Sequence, residues 1–260
     1  MLLTLSARSL EPLITKGELS LVDLPQFARE KLDLNGLTLQ ASLLSGWGIP
    51  DIDRLRDQAD KVGCPCLTLI EEQPHPLNHP NDDTVEASID RMERVIRVAH
   101  RLGCSGVAMG IEDVGAKGDN ELVPDRLKEV VLRAERMELN LLISPQPGLT
   151  ATPSDLTELI RNVGGFRIGS FPDFEAAAAS GDAPAYLRAL TPYASAVTAA
   201  ATKFKANGEH EPFDIRACML AVKSVGYEGT VSLEYRGSGD VLAALEATRD
   251  LVRAALEAEE

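Results

Sequence analysis

The 260-residue sequence predicts an α/β protein, a (β/α)8 TIM barrel in a single domain over residues 1–260, and three observations carry that prediction. Short apolar runs recur eight times, each followed by a helix-length segment that closes on a glycine or a polar turn. The runs begin near Leu2, Leu37, Cys66, Gly106, Asn140, Phe166, Ala196 and Thr230. Their mean step is therefore about 33 residues, the size of one strand, one crossover helix and two short loops. The runs are also too apolar to face water on either side, which favours a closed parallel barrel, typically about 250 residues long, over an open sheet. A doubly wound sheet for a dinucleotide is the competing fold. The turn after the first run, Ser6-Ala7-Arg8-Ser9, lacks the glycines that a pyrophosphate needs, and no Gly-, Ser- or Pro-rich linker divides the chain.

The helices are read from their ends. Asp51 is expected to cap a segment whose Ile52, Leu55, Ala59 and Val62 share a face, with Gly63 as its left-handed stop. Asp83, with Glu86 three residues on, is expected to open a helix that turns Ile89, Met92, Ile96 and Ala99 inward and ends at Leu102-Gly103. Pro124 and Pro153 suit first-turn positions, where no amide hydrogen is needed. Asp214 opens the helix of Ile215, Met219, Val222 and Val225, and Asp240 opens the last one through Leu242, Leu245, Val252 and Leu256. Glu257 to Glu260 reads as a frayed, solvated end.

Composition narrows function. Against 40 Asp and Glu there are 26 Lys and Arg, a net charge of −14, so a sequence-independent grip on nucleic acid or anionic membrane is not expected. No basic leader precedes a sustained apolar stretch and no apolar run is long enough for a span, so the expected location is cytoplasmic. Cys64, Cys66, Cys104 and Cys218 have neither the spacing of a disulfide framework nor the paired spacing of a zinc site, and read as small buried hydrophobes.

In a barrel of this kind the reacting groups sit at the carboxyl ends of the strands. The polar residues that end the runs are Ser6 and Arg8, Gln40, Glu71 and Glu72, Glu112, Ser144 and Gln146, Asp173, Thr198, and Glu234 with Arg236. Glu71, Asp173 and Glu234 would converge on one mouth, where they could hold a hard cation or pass a proton. Their structural alternative is ion pairing with Arg8, Arg236 and backbone donors. Trp47, between Gly46 and Gly48, is placed either against a sugar ring or over an apolar seam. Lys203 and Lys205 bind a phosphate or carboxylate, or are solvated charges. His75 and His79 lie in a proline-stiffened stretch that forbids the helix needed to align them as ligands. Gly237-Ser238-Gly239 sits where barrels often cradle phosphate, although Asp240 at the cap opposes a second anion.

The stretches Gly17 to Ala28, Gly36-Leu37-Thr38-Leu39-Gln40, Phe171-Pro172-Asp173-Phe174, Leu190-Thr191-Pro192-Tyr193-Ala194 and Gly226 to Tyr235 give the chain a resemblance to the xylose isomerase-like sugar phosphate isomerases and epimerases. The resemblance covers essentially the whole chain. It implies one divalent ion, Mn²⁺ or Mg²⁺, held by Glu, Asp, His and Glu at the ends of strands five to eight, and a proton moved between adjacent sugar carbons. Asp173 and Glu234 match the second and fourth of those ligands. Ser144 stands at the Glu position and Thr198 at the His position, with Ala200 where a lysine often follows.

One anionic oxygen and the imidazole are thus missing, so the resemblance implies a degenerate metal site that holds Mg²⁺ or Mn²⁺ weakly through Asp173 and Glu234, or not at all. Two functions remain. One is an isomerase or epimerase acting on a small sugar, polyol or sugar acid, with Glu234 and Asp173 catalytic and Arg8, Gln40, Trp47, Glu71, Ser144, Gln146, Thr198, Lys203 and Arg236 binding substrate. The other is a catalytically silent barrel that serves as a ligand-binding or partner subunit. Either takes a carbohydrate-like small molecule and is compatible with an oligomer or a partner chain. The DNA-repair endonuclease branch of the same superfamily gathers several zinc ions with many histidines, and with only His75, His79, His100 and His210 present it is not expected.

Overall fold

A computed structural model describes residues 1–115, 118–205 and 208–258. Eight strands form one all-parallel sheet: β1 (Leu2–Ser6), β2 (Leu37–Gln40), β3 (Cys66–Ile70), β4 (Gly106–Gly110), β5 (Asn140–Ser144), β6 (Ile168–Ser170), β7 (Ala196–Ala201) and β8 (Thr230–Tyr235). They run in the order β6-β5-β4-β3-β2-β1-β8-β7. The two ends of that order meet at isolated parallel bridges, Ser170 with Ala194 and Asp173 with Thr198, and Thr198 N–H donates to the Pro172 carbonyl at 2.9 Å. The seam between β6 and β7 is thus the thinnest part of the ring.

Around the sheet lie α1 (Glu11–Thr15), α2 (Leu24–Leu32), α3 (Ile49–Val62), α4 (Asp82–Leu102), α5 (Val123–Arg136), α6 (Pro153–Val163), α7 (Phe174–Ala179), α8 (Ala183–Leu190), α9 (Ile215–Lys223) and α10 (Val241–Glu257). The strand alternation explains the two-layer core. Leu3, Leu5, Leu37, Leu39, Val107, Met109, Leu141, Ile143, Val197, Val231 and Leu233 belong to the large cluster beneath the helices. Inside the ring a small separate cluster, Ala108, Leu142, Phe171 and Ala196, packs with Ile70. The rest of the interior is polar or small: Thr4 and Thr38 share a buried hydroxyl hydrogen bond of 3.2 Å. At Gly169 a Cβ would stand 2.2 Å from the Tyr193 carbonyl oxygen, so only glycine lets β6 approach the turn before β7.

Strand starts agree with the expected positions except at β6, which begins at Ile168 rather than Phe166. Gly164 and Gly165 both have positive φ and carry Phe166 wholly into solvent. Two expected caps are also corrected. Gly48 is the N-cap of α3, and Asp51, three residues in, accepts the Gly48 N–H at 3.1 Å. Asn81, not Asp83, caps α4 by accepting the Asp83 N–H at 2.8 Å. Asp214 and Asp240 cap α9 and α10 as expected. The four cysteines are free and buried, and burial raises each thiol, Cys64 to about 11 and Cys104 and Cys218 to about 12. Of the expected frayed end, Glu259 and Glu260 lie outside the described residues. No helix among the described residues is long and apolar enough to cross a membrane.

Candidate functional site

At the carboxyl ends of the strands is a cavity of about 380 Å³ whose wall includes Arg8, Gln40, Glu71, Ser144, Gln146, Asp173, Thr198, Glu234 and Arg236. The positions follow from strand periodicity. Leu39, Ile143 and Leu233 point outward and pack beneath the helices, so the residue after each of them faces the inside of the ring. At the end of a strand that inward residue meets the mouth rather than the core, and a polar side chain survives there. Gln40 thus ends β2, Ser144 ends β5, and Glu234 is the last inward residue of β8.

Arg236 organises the mouth. It follows β8, on the same side as Glu234 two residues earlier, and its Nε donates to Glu234 Oε1 at 2.6 Å. Its Nη2 donates to Asp173 Oδ2 at 2.6 Å, and its Nη1 donates to Glu175 Oε2 at 2.6 Å and to Asp173 Oδ1 at 3.3 Å. Asp173 is also the N-cap of α7, accepting the Glu175 and Ala176 N–H groups at 2.8 and 3.1 Å. Burial raises the Asp173 carboxyl above the usual carboxylate value, against the pull of Arg236. Burial also opposes the charge of Arg236, but Asp173 and Glu234 more than offset it and raise the guanidinium above its ordinary value. The second Glu234 oxygen accepts the Ser6 hydroxyl at 2.6 Å, and Ser6 in turn accepts Gln40 Nε2 at 3.1 Å. That leaves Gln40 Oε1 buried with no partner among the described residues.

Glu71 also lines the cavity, but its partner is neither Arg8 nor Arg236. Arg91, reaching in from α4, donates to Glu71 Oε2 through Nε at 2.8 Å and Nη2 at 2.7 Å. Glu72 is held by the Ser42 amide and hydroxyl. Gln146 leans over Gly110, where a Cβ would come within 3.0 Å of its side chain. Arg8 is exposed at the rim.

Two expected binding residues are not among those that line the cavity. Trp47 packs, half-buried, against the hydrophobic cluster beneath the helices. Lys203 pairs with Glu211 at 2.7 Å, and its neighbour Lys205 pairs with Glu209 at 3.1 Å. His79 Nδ1 accepts the Asn81 N–H at the start of α4. His75 is buried, its Nε2 lacks a partner among the described residues, and burial with Arg91 nearby lowers its pKa to about 4. Asp240 occupies the N-terminus of α10 through the Leu242 and Ala243 amides, where an anion from the Gly237 to Gly239 loop would have to sit.

Three contributors escape the sequence reading: Glu175 on Arg236, Arg91 on Glu71, and His210. His210 Nε2 accepts the Thr202 N–H at 3.0 Å and its Nδ1–H donates to the Phe213 carbonyl at 2.9 Å, between the rings of Phe204 and Phe213. It fixes the loop after β7. Glu175 has one available signal, its two-residue offset from Asp173; Arg91 meets Glu71 only by tertiary contact from α4, and His210 is set by the path of its own loop.

The donor set does not fit a divalent ion. Ser144 and Thr198 offer neutral hydroxyls, Asp173 already accepts four hydrogen bonds and Glu234 two, and a guanidinium lies between those carboxylates. Among the described residues no group of three or more His, Cys, Asp or Glu is placed to hold a metal.

The sequence matches the family described as Xylose isomerase-like TIM barrel over residues 30–257. Among curated proteins nothing matches it. Solved structures similar to it include an L-ribulose 3-epimerase, with a TM-score of 0.78 at 14% identity, covering 98% of this chain and 94% of that one. The IOLI protein with a binding zinc atom gives 0.76 at 16% identity, covering 99% and 100%. D-psicose 3-epimerase with D-tagatose, from Clostridium cellulolyticum H10, gives 0.73 at 15% identity, covering 99% and 97%. At these identities the likeness is one of fold.

Proposed function

The chain belongs to the xylose isomerase-like TIM barrel family, and we propose that its mouth binds a small sugar or sugar acid and moves a proton between adjacent carbons, with Glu234 as base. The observation that carries this reading is the placement of Glu234: a carboxylate 2% exposed, in the wall of the cavity and oriented by both Ser6 and Arg236. Each of its oxygens holds one donor and keeps a lone pair for the proton. Gln40 Oε1, lacking a donor, accepts a ligand hydroxyl, and Ser144, Gln146 and Thr198 supply the exchangeable donors and acceptors that a polyhydroxylated ligand needs. Glu234 takes a proton from the hydroxyl-bearing carbon beside a carbonyl and returns it to the carbonyl carbon, while the hydroxyl proton passes to the former carbonyl oxygen, so that the carbonyl moves by one carbon.

The test is proton–deuterium exchange into a panel of ketoses and sugar acids, followed by NMR. Glu234→Gln should slow exchange by about 10²–10⁴-fold at a temperature where circular dichroism shows the variant still folded. An unchanged rate removes Glu234 from the chemistry. The second reading, a silent ligand-binding barrel, is favoured by Ser144, which cannot serve as a second carboxylate at the end of β5. Saturable ligand binding without exchange decides for it.

A further inference from the structure

We propose that Arg236 is a built-in cation standing where a divalent ion would have to bind, so that this mouth excludes metals and carries its positive charge covalently. What that charge is used for rests on the proton-transfer reading; its place does not.

The geometry is that of a filled site. A metal bridging Asp173 and Glu234 would need lone pairs from both carboxylates directed at one point. Here the point is taken by a planar fork: Nε on Glu234, Nη2 on Asp173, and Nη1 shared by Asp173 and Glu175. The two backbone amides at the start of α7 engage Asp173 as well, which fixes its orientation toward the guanidinium. A divalent ion entering beside Arg236 would meet a neighbouring positive charge in a partly buried site, where repulsion is poorly screened. The replacements at Ser144 and Thr198 agree with this, because a neutral hydroxyl supplies neither the anionic oxygen nor the imidazole that would offset the repulsion from the guanidinium.

Arginine suits the role for two reasons. It does not lose its proton in the range where proteins are folded, and its fork addresses several carboxylates at once, which a lysine point charge does not. Four of its N–H groups are committed to the three carboxylates, so one Nη2 hydrogen remains for an oxygen of whatever occupies the cavity. The side chain is 27% exposed and lines that cavity. During proton transfer, oxygen charge develops there, and a preorganised donor beside it is the chemistry a metal would otherwise supply.

The experiment is equilibrium dialysis of the full chain against Mn²⁺, with bound metal read by atomic spectroscopy and electron paramagnetic resonance. The parent protein should retain no stoichiometric Mn²⁺, and Arg236→Met should bind it more tightly by about a factor of ten or more once the competing charge is gone. Should Arg236→Met fail to fold, Arg236→Gln carries the same comparison. Stoichiometric Mn²⁺ in the parent that is lost in Asp173→Asn overturns the proposal, and so does equally weak binding by the parent and the neutral variant. Deuterium exchange plays no part in this readout. Failure to find exchange with any sugar would therefore remove the proton-transfer reading and leave the place of the cation standing.

Discussion

Three carboxylates meet on Arg236, but they are not equal. Glu175 is 46% exposed and contributes as a solvated ion pair, so Glu175→Gln should cost less than about 1 kcal/mol in urea unfolding. Asp173 is 16% exposed and holds two helix amides besides the guanidinium. Asp173→Ala, which leaves a buried charge without its main partner, should cost about 3–5 kcal/mol; Asp173→Asn, which keeps an oxygen for the amides, should cost less. If the two variants unfold at the same urea concentration, the cap contributes nothing. His75 sets an acid limit. Its folded pKa of about 4 lies below the unfolded value of about 6.5, so the unfolded chain takes the proton first. Its contribution is whole above about pH 6.5 and is lost as pH falls toward about 4, up to about 3 kcal/mol. Arg91, the charge facing it, remains cationic throughout that window. His75→Leu should flatten that part of the stability profile, and an unaltered acid limb would show that other groups set it.

At the scale of elements, the ring is most demanding where β6 meets the turn before β7. Gly169→Ala would drive a Cβ into the Tyr193 carbonyl and should cost about 1–3 kcal/mol, with faster amide exchange at Phe171 than at Val231 of β8. Uniform exchange across the sheet would contradict it. The strands are legible in the sequence because each is a short apolar run with inward polar residues at its end, as at Gln40, Ser144 and Glu234. β6 misleads because Phe166 looks like the start of such a run, whereas two left-handed glycines turn it out to water. The caps of α3 and α4 mislead for a different reason: several polar residues crowd each start, and only the backbone path selects which oxygen meets an amide. Around the mouth, period two places Glu234 and Arg236 on one side, but it cannot show that the arginine crosses to Asp173, or that Glu71 is served from α4 by Arg91. Trp47 and Lys203, chosen for chemistry and nearness in sequence, lie elsewhere for the same reason: loop residues carry no periodicity that fixes their direction.

For the molecule as a whole, ring and mouth are one construction. A protein whose site charge is covalent should unfold identically with and without chelator, and a chelator-induced fall in melting temperature would contradict that. The small, polar interior beneath the mouth offers little apolar packing, so closure leans on the few links across the β6–β7 seam, where backbone pairing is limited to two bridges among the described residues. One of those links is a side chain: the arm of Arg236 reaches from β8 over the end of β7 to clasp the acid that follows β6. A guest whose oxygen pulled that arm away from Asp173 would slacken the hoop at its weakest stave, whereas one content with the spare Nη2 hydrogen would leave the clasp shut.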